Sequence, residues 1–185
     1  MTHWNRLFGS TILAAALFAG TAASAADITL RYNAPAPDGG VHGTGMHAFK
    51  ECVETGTNGK VEVPLFFSAA LGNQEDGIEA LKLGTLDMMQ IDTAITTIDD
   101  LLSVLALPYI FRDRDHVAKV MSGEVGDLVR DRLVAQGVRP LGYWEGGFRH
   151  ITNNVRPINT PADLKGIKMR TPSSEIRIKI FNHYG

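Results

Sequence analysis

The sequence predicts an α/β fold built on a mostly parallel sheet. Extended and helical patterns alternate as β-α-β-α-β through the first half of the chain, which calls for parallel strands with helices on the sheet faces and right-handed crossovers. The 185 residues are 44% hydrophobic and 21% charged, an ordinary globular balance that excludes disorder, collagen and coiled coil. One cysteine, Cys52, offers no internal disulfide, so an apolar core must hold the fold. With 18 basic against 20 acidic residues and a net charge of −2, no broad cationic field exists, and no basic run tracks a nucleic-acid backbone. Nucleic acid is not an expected partner.

The elements follow in order. Residues 1–25 read as a signal peptide: Arg6 supplies a positive start, Ile12 to Ala19 an apolar stretch, and Ala23-Ser24-Ala25 a cleavage site. The apolar run is shorter than the roughly 20 residues a bilayer needs. The mature chain is expected to start at Ala26, outside the cytoplasm and not spanning a membrane. Ile28 to Asn33 alternates as a strand, and a loop rich in proline and glycine leads to a helix from Gly43 to Glu54. Met46, Phe49, Cys52 and Val53 share helical spacing, which reads Cys52 as a core residue rather than a catalytic thiol. After the Asn58-Gly59 turn come a strand from Val61 to Phe67, a helix from Gln74 to Leu83 stopped by Gly84, and a strand from Leu86 to Ile91.

Leu101 to Phe111 is an apolar stretch closed at Pro108, and Asp115 to Gln136 reads as one helix stopped by Gly137. Val138 to Thr152 reads as extended, Thr160-Pro161-Ala162-Asp163 opens a short helix ended by Gly166, and Ile167 to Arg170 reads as a strand. The last segment fits two periods. Ile176, Ile178 and Ile180 alternate like a strand, while Ile176, Ile180, Phe181 and Tyr184 fit a helix capped by Ser173 or Ser174.

Few motifs carry chemistry. Gly43-Thr44-Gly45-Met46-His47-Ala48 matches a dinucleotide-binding pattern, but the loop before it is too long for the tight turn that motif requires, and no acidic residue ends the next strand to hold a ribose. His47 and Glu51 form a lone i,i+4 pair, which a solvated helix face explains as well as a metal site does. No G-x-S-x-G elbow or H-E-x-x-H helix is present, so hydrolase readings have no anchor. Neither a metal nor an organic cofactor is expected.

The most informative stretch runs Gly142-Tyr143-Trp144-Glu145-Gly146-Gly147-Phe148-Arg149-His150-Ile151-Thr152-Asn153-Asn154, then Arg156-Pro157-Ile158, Thr160-Pro161-Ala162-Asp163-Leu164-Lys165-Gly166 and Ile167-Lys168-Met169-Arg170-Thr171-Pro172. With Leu71-Gly72, Gly84-Thr85-Leu86-Asp87-Met88 and Leu107-Pro108-Tyr109-Ile110-Phe111-Arg112-Asp113 upstream, it resembles the DctP-type solute-binding proteins of tripartite ATP-independent periplasmic (TRAP) transporters. The resemblance runs from the first strand to the end of the chain and covers only the N-terminal part of a complete receptor. It implies a periplasmic-binding-protein-like, two-lobed α/β fold, with residues 26–137 in the first lobe and residues 138–185 as crossover and start of a second.

By the same resemblance, the protein is a periplasmic receptor, not an enzyme, that binds a small organic carboxylate and hands it to a TRAP membrane permease. Arg170 matches the carboxylate-binding arginine, and its planar fork suits two parallel hydrogen bonds to a carboxylate. Arg149 matches a second arginine that contacts or orients the ligand. Asn33, Gln74, Asp92 and Ser173 match positions lining the cleft in sialic-acid-binding relatives. Trp144 and Phe148 fit either an apolar wall or core packing. Ala70 stands where family members carry a polar residue. An exported enzyme acting on carboxylates and a ligand-sensing protein of the same fold are the competing readings, and the lack of a nucleophile–base pair disfavours the enzyme.

Overall fold

The computed structural model describes residues 26–171 and 174–185. The expected signal peptide, its cleavage site and Ser173 lie outside the described residues. Every strand pairing is parallel, as the alternating pattern predicts. Strand β1 (Ile28–Thr29) pairs with β3 (Val61–Glu62), and β2 (Tyr32–Asn33) lies between β4 (Leu65–Phe66) and β5 (Met88–Met89).

Each of the first two expected strands is split in two, and Pro64 supplies the reason. Hydrogen bonds continue past the interruption, from Leu30 N to Glu62 O at 2.8 Å, Tyr32 N to Pro64 O at 3.0 Å and Ala34 N to Phe66 O at 2.8 Å. Pro64 has no N–H to return to the ladder, which is tolerated because β4 is an edge strand.

Helix α1 (Gly40–Gly56) packs against β3 and β4, and α2 (Gln74–Lys82) against β5. Asn73 caps α2 by accepting the Asp76 N–H at 3.0 Å. Around α1, Tyr32, Ala34, Met46 and Val63 form one apolar cluster with Phe49 and Val53. A second cluster joins Ile78 of α2 to Ala94, Ile98, Leu102, Val129, Leu133 and Val138. Two 3₁₀ turns (Thr93–Thr97 and Asp100–Ala106) and helix α4 (Glu124–Ala135) supply most of that cluster.

Three expectations need correction. Cys52 is exposed: at 100° per residue it lies about 120° around the helix from Met46, off the stripe that Met46, Phe49 and Val53 share. The single helix expected from Asp115 to Gln136 is two, α3 (Arg114–Met121) and α4, broken at Ser122 and Gly123. Gly126 lies so close to the Met121 carbonyl oxygen that a side chain there would strike it. The apolar repeat runs through the break because both helices face the same core. Finally, neither Val138–Thr152 nor Ile167–Arg170 forms a strand. A strand exists only where a second backbone runs in register, and among the described residues none does.

The segment after Val138 is held instead by side chains. Tyr143 donates to Gly126 O at 3.0 Å, Arg114 pairs with Glu145 at 2.5 Å, and the Trp144 ring packs on Gly45, where a Cβ would sit 2.7 Å from it. Gly43 and Gly45 therefore lie inside α1, the latter beneath an indole. A 3₁₀ turn (Pro161–Leu164) follows, and the ambiguous last segment is helix α5 (Glu175–His183) with Ser174 at its N-cap.

Candidate functional site

Parallel strands end together, and β4, β2 and β5 bring Phe66, Asn33 and Met89 to one edge in register. Crevices at the carboxyl ends of such strands are where open α/β sheets bind ligands. Asn33 is fully buried there. Its amide donates to Gly72 O at 3.0 Å and accepts from Leu71 N at 3.3 Å, so it holds the 68–72 loop. Ser68 and Ala69 in that loop adopt φ of 54° and 57°, a conformation costly for residues with a side chain. The buried amide helps to impose that shape.

Gln74, the first residue of α2, accepts the Asp92 N–H at 2.7 Å. Asp92 follows β5, and its carboxylate accepts a hydrogen bond from the guanidinium of Arg149. Arg149 comes from the unpaired segment after Val138, so this ion pair ties that segment to the strand edge. Its two side chains are 54% and 57% exposed, and such a pair contributes about 0–1 kcal/mol. Arrangement matters here more than stability.

Sequence reasoning missed one member of the cluster. Arg177, on the first turn of α5, is half-buried. Loss of water lowers its pKa, the nearby charge of Arg149 lowers it further, and Asp92 acts in the opposite sense. Arg149 pairs with Asp92, and Arg177 lies near enough to feel both charges. A signal was present: three residues beyond an N-cap serine, Glu or Gln commonly closes a capping box, and a cation there opposes the helix dipole.

Arg170 is exposed, with no hydrogen bond or ion pair to another described residue. The structure thus joins Gln74, Asp92 and Arg149, uses Asn33 to shape the adjoining loop, and leaves Arg170 unattached among the described residues. Gln90, whose N–H donates to Asn33 O at 3.0 Å, contacts His42 through its side-chain amide. Its Oε1 is buried and without a partner among the described residues. One hollow lies against Pro108 and α5 and another beside β5 and Val138, with Met89 in its wall; charge and hydrogen bonding single out the side of the strand ends that carries Asn33, Gln74 and Asp92. No described group of His, Cys, Asp and Glu could hold a metal. No described helix is long and apolar enough to cross a membrane.

Comparison with known proteins agrees with this architecture. The chain is 36% identical to the 2,3-diketo-L-gulonate-binding periplasmic protein YiaO of Escherichia coli over 138 residues, covering 74% of this chain and 42% of that protein. Its structure superposes with a TM-score of 0.83 on a TRAP periplasmic solute binding protein from Sulfurospirillum deleyianum with bound succinate, at 34% identity and covering 86% of this chain and 52% of the other. A TRAP protein from Roseobacter denitrificans with bound L-galactonate gives a TM-score of 0.82 at 30% identity, covering 88% and 54%. The chain thus spans about half the length of the relatives it matches. The description of bacterial extracellular solute-binding protein family 7, DctP, matches residues 32–185, and with the parallel strand edge, its polar cluster and these relatives it establishes that the chain belongs to that family.

Proposed function

We propose that this protein is a periplasmic receptor that captures a small organic carboxylate and passes it, chemically unchanged, to a TRAP membrane permease. The observation that carries the reading is the Arg149–Asp92–Gln74 cluster at the carboxyl ends of the parallel strands. Membership of a family whose solved relatives include proteins with bound succinate and L-galactonate supports it. In this reading the signal peptide is removed after Ala25. Residues 26–137 form one lobe, and residues 138–185 are crossover and start of a second. Arg170, unattached among the described residues, takes the first carboxylate through its two-pronged guanidinium. Arg149 orients the ligand, Gln74, Asp92 and Ser173 supply polar contacts, and Asn33 keeps the adjoining loop in shape.

The test is calorimetric titration of the full-length protein with succinate and with L-galactonate, the acid being recovered unaltered afterwards. Arg170→Ala should weaken binding by more than tenfold, since removing one partner of a desolvated charge pair costs about 2–5 kcal/mol. Arg170→Lys should keep a fraction of the affinity, because charge survives while geometry does not, and Arg149→Ala should cost less than Arg170→Ala. Near-wild-type affinity in a folded Arg170→Ala protein overturns the site.

A further inference from the structure

Asp92 and Arg149 meet from two unlike supports. Asp92 is fixed by its surroundings: its N–H donates to Gln74 Oε1 at 2.7 Å, and the turn it opens, Thr93–Thr97, buries Thr93, Ala94 and Thr96. Arg149 stands on a segment with no strand partner among the described residues. An aspartate just before a helical turn ordinarily accepts one of that turn's free N–H groups. Asp92 holds that position without capping the turn, and its carboxylate is directed to the Arg149 guanidinium instead. The contact is made through Nη2 of the arginine. Nη2 belongs to both two-pronged edges of a guanidinium, the one it shares with Nε and the one it shares with Nη1, so an acceptor there takes a prong that an incoming carboxylate needs. Both side chains are more than half exposed, which makes the pair weak and easily exchanged.

Asp92 therefore offers Arg149 the same chemistry that a ligand carboxylate would. We propose that Asp92 is a built-in competitor: it occupies Arg149 while the site is empty, must surrender the guanidinium when a ligand carboxylate arrives, and by returning to it speeds release. This rests on the receptor reading above, in which Arg149 orients the ligand. Asp92 then lowers affinity instead of adding to it, and only after the exchange is its carboxylate free to contact the ligand or to cap the turn it precedes. A receptor that must give its cargo up gains from such a contact, because a carboxylate held beside the arginine by the chain itself competes with a departing ligand at any ligand concentration.

The experiment titrates the full-length protein with succinate and with L-galactonate at fixed ionic strength, and follows release of the tighter acid by stopped flow. Asp92→Asn, which keeps the shape and loses the charge, should bind that acid about two- to fivefold more tightly, mainly through slower release. In an Arg149→Ala background the same substitution should lose most of that gain. Arginine side-chain NMR reads the pair directly: the Arg149 guanidinium, identified by the signal missing from Arg149→Ala, should rotate more freely in unloaded Asp92→Asn than in unloaded wild type, and slow again when the variant is loaded. Unchanged or weaker binding by a folded Asp92→Asn protein overturns the inference and leaves the receptor reading standing. A gain as large in the Arg149→Ala background does the same, because Asp92 would then act by repulsion of the acid alone, and so does guanidinium rotation that ignores Asp92→Asn. A wild type that binds neither acid overturns the receptor reading itself.

Discussion

Residues 26–137 and residues 138–185 are stabilised in different ways. The first region contains every described strand and both apolar clusters, which take only Val138 from beyond it. Among its described residues past Val138, the second has one buried hydrophobic residue, Leu164, and leaves Leu141, Phe148, Ile151 and Val155 exposed at 69%, 60%, 44% and 61%. It is fastened by separate polar and ring contacts from Tyr143, Trp144, Glu145 and Arg149. Burial and backbone ladders are cooperative, whereas isolated surface contacts each contribute about 1 kcal/mol or less. The first region is therefore a scaffold. The second brings Arg149 to its edge through the pair with Asp92.

The two regions should differ most in what a core truncation costs. Ile78, 2% exposed and central to one cluster, should lose about 2–5 kcal/mol on replacement by alanine. Leu164→Ala, in neither cluster, should cost less. Denaturant unfolding of both variants measures the difference, and equal losses would mean that the regions share one core.

A smaller effect is expected in acid. The Glu54 carboxyl is held below the usual carboxylate range, first by the Lys50 ammonium at 2.6 Å and then by the Val63 N–H at 2.8 Å. It joins α1 to the strand. Because the folded-state pKa is depressed, its contribution is complete above the unfolded value near 4.3 and is lost as pH falls through the folded one. Melting temperatures between pH 6 and pH 3 should therefore fall less steeply in Glu54→Gln than in wild type. Parallel profiles would remove Glu54 from the scaffold's acid response.

The smallest effect on stability should come from Gly45→Ala. A methyl group would meet the Trp144 ring at 2.7 Å, but that ring belongs to the loosely fastened region, and alanine favours helix by about 1 kcal/mol. Stability should change by less than about 1 kcal/mol, while Trp144, the only tryptophan between residues 26 and 185, should shift its emission to the red. Loss of fold with no spectral shift would show that the indole is a structural pin instead.

Much of this was legible from sequence. The extended patterns of Ile28–Asn33 and Val61–Phe67 located the parallel strands, but each was expected unbroken, and the interruption at Pro64 emerged only in the structure. The run around Arg149 and Arg170 pointed to the family. Other features were not legible. The period of the 115–136 stretch did not disclose the break at Ser122 and Gly123, because apolar residues on both helices serve one core. Cys52 fell at the margin of a stripe where its neighbours decide exposure. Arg177 belongs to a segment whose helical and extended patterns coincide, and its meaning depends on charges brought from Asp92 and Arg149.

By itself the sequence determined what depends on near neighbours along the chain: the order of extended and helical segments, the Gly84, Gly137 and Gly166 stops at φ of 70°, 82° and 75°, the apolar faces of α1 and α2, and the family likeness. Tertiary structure alone decided what depends on distant partners. It determined which extended segments find a backbone to pair with, that Asn33 shapes a loop, and that Arg149 reaches Asp92 beside Arg177. Local conformation follows from sterics and solvation within a few residues, whereas a hydrogen-bond partner or a neighbouring charge is set by how the whole chain closes on itself.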